Sequence, residues 1–361
     1  MKKILFIFDR NLSSLPPMLA VIDSLIKEYE ITFIVRDREE DIENLYKSEK
    51  ISFIAYNKNF YSNSKFFRAI KRIKRIYFFR KFVPQLIKEQ KYDLVWIATA
   101  EAAVFLGKPI KGSKYFFSIY ELYDIVPELL NKIKPIAQKA TCVIVPEINR
   151  AFMLRFWLDL NNTPKVIPNR PVSIPETNEE WPKELESVKG KKIILYQGHI
   201  TRARNLDALC EAVSQIPEYV LVLMGSSHEN YASELSERYS NILQISFLTP
   251  PSHLNITSKA HIGIVTYDFT DLNGVYCAPN KIWEYSGYGI PMLANSIPGL
   301  IYTVGNSGAG YCVEMDNCEK IVYALQDIEK NYERYSSCSS KMFNSVDVKK
   351  HIVTIVEDCI N

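Results

Sequence analysis

Residues 193–213, IILYQGHITRARNLDALCEAV, carry the pattern from which the fold of this 361-residue chain is predicted. The first four of these residues are apolar and predict a buried β-strand, and Gly198 just after them permits a tight turn. The apolar residues Leu206, Leu209 and Val213 then recur at the spacing of an amphipathic helix. A strand, a glycine turn and a helix in this order are typical of a doubly wound α/β domain.

Apolar runs of similar length recur along the chain and alternate with helical stretches. Such runs are typical of parallel sheets covered by helices on both faces. We predict strands at Lys3–Phe8, Ile31–Val35, Ile51–Tyr56, Leu94–Ala98, Tyr115–Ile119, Cys142–Val145, Ile193–Tyr196, Val220–Met224, Leu243–Phe247, Ile262–Thr266 and Met292–Ala294. The sequence therefore predicts an α/β protein with two doubly wound Rossmann-type domains facing a central cleft.

The expected domain boundary lies in a proline-rich stretch. Residues 165–175 hold three prolines, and the charged and polar residues 176–190 separate them from the next predicted strand. We expect an N-terminal domain over residues 1–170 and a C-terminal domain over residues 171–361, whose last helix could pack back on the first domain. A ligand is then expected in the cleft, at the carboxyl ends of the strands.

Composition narrows the class of protein. Apolar residues make up 47% and charged residues 24% of the chain, which are ordinary values for a globular protein. The seven cysteines contain no C-x-x-C and indicate buried thiols in a reducing compartment, and the five histidines form no H-x-x-x-H pair. The sequence predicts no metal and no cofactor, and its apolar N-terminal run is too short for a signal peptide.

Charge is distributed unevenly between the two halves. Residues 1–170 carry a net charge of +11 and residues 171–361 a net charge of −8, and residues 50–88 hold 11 bases and no acid. A basic helix with aromatic residues over Lys65–Phe82 predicts contact with an anionic membrane surface. The residues expected to make this contact are Arg68, Arg72, Arg75, Phe78 and Phe79. A solvated helix with an apolar core face is the alternative, and nucleic acid fits less well because no nucleic-acid-binding module accompanies the bases.

Two motifs in the second half suit a diphosphate ligand. In the first, Gly198 allows a ligand to approach the backbone, and the guanidinium groups of Arg202 and Arg204 can grip phosphate oxygens in pairs. In the second, residues 277–291 (CAPNKIWEYSGYGIP), Lys281 is expected near a helix start that favours phosphate, and Glu284 is three residues further on the same face. An ordinary strand–helix turn and a solvated Lys–Glu pair are the alternatives.

Taken in order, these segments resemble the nucleotide-sugar half of GT-B glycosyltransferases of the retaining family 4 type. The segments MGS at 224–226 and NSIPGL at 295–300 also fit this resemblance. It implies that Arg204 binds the donor diphosphate and that Glu284 binds the ribose. Many family members have another glutamate eight residues before the ribose-binding one, where this chain has Tyr276, so Asn280 and Lys281 are expected to take over contact with the donor.

The first half carries a looser resemblance at residues 117–123, FSIYELY. This segment is similar to the family's D-x-H-E-L segment, with Tyr120 in the place of the histidine and Glu121 retained. The resemblance implies that Tyr120 and Glu121 lie at the acceptor side of the cleft as catalytic residues. A loop aromatic and a solvated acid are the alternative.

The sequence thus predicts a cytoplasmic glycosyltransferase, peripheral on the inner face of the cell membrane. It would move a sugar from a nucleotide diphosphate sugar to a lipid-linked saccharide acceptor in surface polysaccharide biosynthesis, with retention of anomeric configuration and no nucleic-acid partner. A nucleotide-sugar 2-epimerase and a non-catalytic GT-B partner subunit are the alternatives. No oligomeric state is predicted.

Overall fold

The computed structural model describes residues 1–56, 65–177 and 180–360, and the chain divides into two compact units. The first unit comprises Met1–Val172 and Asp347–Asn361, and the second comprises Ser173–Val346. The division lies within the proline-rich stretch that separates the two predicted domains.

The first unit is built on a seven-stranded parallel sheet with the strand order β3-β2-β1-β4-β5-β6-β7. Its strands are β1 (Lys3–Ile7), β2 (Glu30–Val35), β3 (Ile51–Ala55), β4 (Leu94–Ile97), β5 (Tyr115–Ser118), β6 (Cys142–Val145) and β7 (Lys165–Val166). Its helices before the boundary are α1 (Pro16–Leu25), α2 (Glu40–Leu45), α3 (Lys65–Tyr77), α4 (Val83–Gln90), α5 (Ala100–Leu106), α6 (Pro127–Lys139) and α7 (Ile148–Trp157). A π-helical turn, Phe78–Phe82, joins α3 to α4.

The second unit repeats this architecture with six parallel strands in the order β10-β9-β8-β11-β12-β13. Its strands are β8 (Lys192–Gln197), β9 (Tyr219–Met224), β10 (Ile242–Ile245), β11 (Ile262–Val265), β12 (Met292–Asn295) and β13 (Gly310–Val313). Its helices are α8 (Asp207–Ser214), α9 (Tyr231–Arg238), α10 (His253–Thr257), α11 (Leu272–Val275), α12 (Lys281–Gly287), α13 (Pro298–Leu300), α14 (Cys318–Lys330) and α15 (Tyr332–Asn344).

The last helix, α16 (Val348–Ile360), belongs to the first unit, where it packs against α1. His351 on this helix shares a hydrogen bond of 2.7 Å with the carbonyl oxygen of Val166. The chain therefore returns to the first unit after completing the second.

Burial along β8 shows why this sequence forms a sheet covered on both faces. Ile194 and Tyr196 pack in one apolar cluster of the second unit, whereas Ile193 and Leu195 pack in another. Successive side chains of a strand point to opposite faces, so a strand that is apolar at every position must be buried on both sides. Each fully buried side chain of this size stabilises the fold by about 1.5–3 kcal/mol.

The predicted fold class is confirmed, since both units are doubly wound parallel α/β domains. All eleven predicted strands are present, with ends that differ by at most two residues. The structure adds Lys165–Val166 and Gly310–Val313, which the sequence did not indicate. The first has only two residues beside a proline-rich stretch, and the second begins at a glycine two residues after Gly308, so neither shows a long apolar run.

Candidate functional site

Polar residues collect where the central strands of the second unit end. Gln197 ends β8 and Asn295 ends β12, while Tyr267 follows β11, which pairs with both of these strands. Carboxyl ends of parallel strands meet at one edge of the sheet, which is where doubly wound domains bind ligands. Gly198, Arg204, Lys281 and Glu284 from the two sequence motifs converge at this edge.

Two glycines open the backbone at this edge. Gly198 has a φ of 131° and Gly225, after β9, has a φ of 147°, in a region that residues with side chains rarely adopt. A Cβ on Gly225 would lie 1.9 Å from the carbonyl oxygen of Gly198, so the two backbones can approach this closely only with a glycine at position 225. A Cβ on Gly198 would instead point toward Lys281, 3.4 Å from its Nζ.

The ammonium of Lys281 is held against aromatic rings. Its Nζ lies 4.6 Å from the centroid of the Tyr196 ring and 5.7 Å from that of Tyr267. Burial and, to a smaller extent, the nearby Arg204 lower the pKa of Lys281, and the Glu284 carboxylate opposes them; together these effects bring the pKa to about 7. A neutral Lys281 amine therefore gains a proton readily when an anion binds beside it.

Arg204 is fixed by a carboxylate and a ring. Its Nη1 lies 3.0 Å from Oδ1 of Asp268, and its guanidinium carbon lies 4.1 Å from the centroid of the Tyr267 ring. The Asn295 side chain in turn accepts a hydrogen bond from the Tyr267 amide at 3.1 Å and donates one to the Tyr267 carbonyl. The ends of β11 and β12 thus set the position of the guanidinium.

Glu284 lies on α12, one turn from Lys281, with only 16% of its side chain exposed. The side-chain amide of Gln197 donates a hydrogen bond to Oε2 of Glu284, and His253 Nε2 lies 3.4 Å from Oε1. Thr257 donates a hydrogen bond of 2.8 Å to the oxygen of the Gln197 amide, which fixes the orientation of that amide. Nδ1 of His253 is buried and has no hydrogen-bond partner in the described part of the chain.

Arg202 and Asn280 occupy different surroundings from these residues. Arg202 forms an ion pair with Glu234 on α9, and its guanidinium carbon lies 5.0 Å from the centroid of the Tyr231 ring. The two arginines expected to face the same ligand therefore have separate partners. Asn280 is partly buried, and its backbone carbonyl accepts the amides that begin α12.

In the first unit, Tyr120 and Glu121 follow β5 as predicted. Arg150 on α7 donates a hydrogen bond to the Tyr120 carbonyl, and its Nη1 lies 3.5 Å from Oε2 of Glu121, whose side chain is 52% exposed. Burial raises the pKa of the Tyr120 phenol well above its usual range, against the opposite effect of a hydrogen bond with Ser118. Tyr120 therefore keeps its proton, and Glu121 is the accessible group of the two.

The same edge carries residues that the sequence analysis did not single out. Asp9, after β1, accepts a hydrogen bond of 2.7 Å from Thr99, after β4. Arg10 lies 3.2 Å from the carboxylates of both Asp9 and Glu101. Asp9 and Thr99 directly follow predicted strands, and Arg10 and Glu101 come within three residues of the same strand ends, so this position was the signal that could have identified them.

In the second unit, the residues missed were Gln197, His253, Asp268 and Asn295. Gln197, Asp268 and Asn295 lie at or just after strand ends, so the rule that strand ends bind ligands could have pointed to them. His253 gives no such signal, because it is near Glu284 only through the packing of α10 on α12.

The segment predicted to meet a membrane corresponds to α3 and the π-helical turn. Ile73 and Tyr77 are exposed large apolar residues, at 66% and 67%, and Arg72 is exposed as well. The side chain of Arg68 lies outside the described residues. No helix in the described ranges is long and apolar enough to cross a membrane.

The structure corrects part of this prediction. Phe79 is completely buried, with its ring 5.5 Å from that of Phe105 and 5.2 Å from that of Tyr56 between centroids, so it is a core residue. Phe78 is partly buried and packs on Phe79. The guanidinium carbon of Arg75 lies 4.6 Å from the Phe105 ring centroid. Phe79 of the π-helical turn therefore faces the core and not a surface, whereas Ile73 and Tyr77 of α3 are exposed.

Comparison with known proteins finds glycosyltransferases among the proteins that this chain is similar to. Residues 177–344, nearly all of the second unit, match the model of the family described as Glycosyl transferases group 1. The chain is 23% identical over 312 residues to an uncharacterized glycosyltransferase of Haemophilus influenzae. The alignment covers 81% of this chain and 80% of the relative. Both units share the architecture of known GT-B structures.

Three solved structures illustrate the shared fold. A glycosyltransferase from Rickettsia africae has a TM-score of 0.73 at 16% identity, with 100% of this chain and 99% of that chain covered. Anabaena HepE in complex with UDP and glucose has a TM-score of 0.71 at 14% identity, with 99% of each chain covered. S. aureus MnaA in complex with UDP has a TM-score of 0.63 at 15% identity, with 99% and 96% covered.

Proposed function

We propose that this protein is a glycosyltransferase that uses a nucleoside diphosphate sugar as donor and a lipid-linked saccharide as acceptor, in the assembly of a surface polysaccharide. The observation that carries the proposal is the convergence of Arg204, Lys281 and Glu284 at one edge of the second sheet. Two cations and a fixed carboxylate are the groups that a diphosphate joined to a ribose requires.

In this proposal, each group has a separate task. Arg204 and Lys281 contact the diphosphate and oppose the negative charge that develops on it as the bond to the sugar breaks. Glu284 accepts hydrogen bonds from the ribose diol, and Gln197 and His253 keep its carboxylate in place. Gly198 leaves the backbone open beside Lys281, where a side chain would crowd the phosphate.

The first unit supplies the acceptor side in this proposal. Glu121 is exposed at the carboxyl end of β5 and is positioned by Arg150, so it can contact an acceptor hydroxyl. The anomeric configuration is retained, as the resemblance of the sequence motifs implies. Exposed Ile73, Tyr77 and Arg72 on α3 support peripheral contact with the inner face of the cell membrane, where a lipid-linked acceptor is available.

Donor turnover tests the proposal directly. The purified chain is incubated with a panel of nucleotide sugars, with and without a lipid-linked saccharide, and the nucleoside diphosphate and the sugar products are separated. We expect slow release of nucleoside diphosphate from one donor and faster release when an acceptor is present. Conversion of the donor to its 2-epimer would identify an epimerase instead, and binding without turnover would identify a non-catalytic partner subunit.

A further inference from the structure

A groove of about 1230 Å³ lies in the first unit, away from the strand ends that carry Glu121. Tyr92 and Ser113 line it, and each lies two residues before a strand of the central sheet, β4 and β5. Lys139, at the end of α6 and shortly before β6, lines it as well. The groove is therefore at the amino-terminal end of the parallel sheet, opposite the edge proposed to meet the acceptor.

Its lining is strongly basic. Sixteen residues line the groove, and seven are cationic while none is acidic. The cationic residues are Arg80, Lys81, Lys88, Lys91, Lys108, Lys111 and Lys139. Within the residues that the structure describes, no carboxylate lies within 4.0 Å of the charged groups of these seven. So many uncompensated cations at one groove attract a polyvalent anion.

The groove also has an apolar part. The exposed Pro84 and the partly buried Pro109 and Ile110 line it, over the buried side chains of Ile87 and Leu106. A freely soluble inorganic anion would gain nothing from these side chains, whereas the acyl chain or glycerol backbone of a lipid would. The only aromatic residue of the lining is Tyr92, which is 9% exposed and therefore offers no face on which nucleobases could stack.

Arg80 is already placed for a phosphate group. Its Nε donates a hydrogen bond of 3.4 Å to the carbonyl oxygen of Phe105, near the end of α5. Gly107, with a φ of 71°, ends that helix, and a Cβ there would lie 3.0 Å from Nη2 of Arg80. The absent side chain at Gly107 leaves room for the guanidinium group, which lines the groove.

We propose that this groove binds the phosphate headgroup of an anionic phospholipid, with the lipid's apolar part against Pro84, Pro109 and Ile110. The proposal rests on the membrane association included in the proposed function, and it assigns to the groove a specific headgroup contact in addition to the surface of α3. Because the groove is at the opposite end of the sheet from Glu121, the bound lipid is an anchor and is distinct from the acceptor.

Flotation with vesicles tests the groove through matched charge reversals. The groove variant carries Lys88→Glu, Lys108→Glu and Lys111→Glu, and the control variant carries Lys27→Glu, Lys47→Glu and Lys132→Glu. All six lysines are exposed residues of the first unit, so both variants change the net charge equally. With phosphatidylglycerol vesicles we expect the groove variant to bind at least about a hundredfold more weakly than wild type, since each engaged base contributes about a factor of five. The control should bind within a few fold of wild type, and equal loss in both variants would overturn the proposal.

A soluble lipid separates headgroup binding from attraction to a charged surface. Dihexanoyl phosphatidylglycerol below its micelle concentration should bind wild type and control, and not the groove variant. Dihexanoyl phosphatidylcholine and glycerol 3-phosphate should bind much more weakly. Equal affinity for glycerol 3-phosphate would identify a site for free phosphate, and tighter binding of an oligonucleotide would identify a nucleic-acid site; either result overturns the lipid assignment.

Donor hydrolysis by the same preparations keeps the two proposals distinguishable. Hydrolysis takes place in the second unit and should be unchanged in both variants, and an unchanged thermal unfolding transition shows that their first unit still folds. Intact hydrolysis with no lipid binding by wild type would overturn the groove proposal and leave the glycosyltransferase proposal standing. Lipid binding without hydrolysis of any donor would overturn the glycosyltransferase proposal and leave the groove proposal standing.

Discussion

Lys281 and Gly198 face each other at the carboxyl end of β8, where a Cβ on Gly198 would lie 3.4 Å from Nζ of Lys281. The glycine therefore leaves the space beside the ammonium free. Its φ of 131° would also strain any other residue at this position.

We expect Gly198→Ala to lower both stability and ligand affinity. The free energy of unfolding should fall by roughly 1–3 kcal/mol because of the backbone strain. Affinity for a nucleoside diphosphate, measured by calorimetry, should fall as well. Gly190→Ala is the matched control, because Gly190 has a φ of 87° but nothing within 4 Å of its Cβ position. It should lose stability alone, and equal affinity in the two variants would contradict a role for Gly198.

Substitution of Glu284 tests ribose binding. Glu284→Gln keeps the shape of the side chain and an oxygen that can accept from Gln197, so the fold should be retained. Loss of hydrogen bonds to a charged acceptor costs about 1.5–3 kcal/mol, which is roughly a ten- to hundredfold loss of nucleoside diphosphate affinity. Glu237→Gln changes an exposed glutamate of α9 and should have no effect. Unchanged calorimetric affinity of Glu284→Gln would remove Glu284 from the site.

The two arginines provide a direct comparison. Arg204→Ala should weaken binding of the nucleoside diphosphate at least about tenfold while leaving that of the nucleoside unchanged, since it removes a charged hydrogen-bond donor. Arg202→Ala should change either affinity less than about threefold, because Arg202 forms its ion pair with Glu234 at an exposed position. An equal loss for nucleoside and diphosphate in Arg204→Ala would indicate a folding defect.

The lowered pKa of Lys281 predicts proton uptake on ligand binding. At pH 7 about half of the Lys281 side chains are neutral in the free protein, and a bound diphosphate raises the pKa and restores the charge. Uptake should therefore be about half a proton at pH 7 and approach one proton at pH 8, and affinity should fall as pH rises above 7. Calorimetry in buffers of different ionisation enthalpy measures this uptake. Lys281→Arg, which is always charged, should abolish it, and uptake that persists in this variant would assign the proton to another group.

Glu121 is expected to act on the acceptor and not on the donor. Glu121→Ala should lower turnover by about 10²-fold or more if the carboxylate takes part in proton transfer, with unchanged donor affinity. Glu128→Ala, at an exposed position at the start of α6, is the control and should keep full activity. Full activity in Glu121→Ala would refute the role.

The sequence was sufficient for the sheets because the two doubly wound domains consist of strands that are apolar at nearly every position. The sequence was not sufficient to predict β7 and β13, because these short strands form by pairing with β6 and β12 and have no long apolar run of their own. Phe79 was misassigned for a related reason. The sequence analysis assigned residues to helix faces by assuming regular α-helical spacing. The π-helical turn at Phe78–Phe82 has a different spacing, so the residues in it point in other directions than that assumption predicts.

What the sequence by itself determined about this protein is the order of its elements, the glycine at the end of β8, and the three-residue spacing that puts Lys281 and Glu284 on one helix face. Only the tertiary structure decided which partners surround these groups. It separated Arg204 from Arg202, placed Gln197 and His253 at Glu284, and set Lys281 against the rings of Tyr196 and Tyr267. The reason is physical: local spacing fixes which face a residue takes on its own helix or strand, whereas burial, ion pairing and pKa depend on neighbours that are brought from distant parts of the chain.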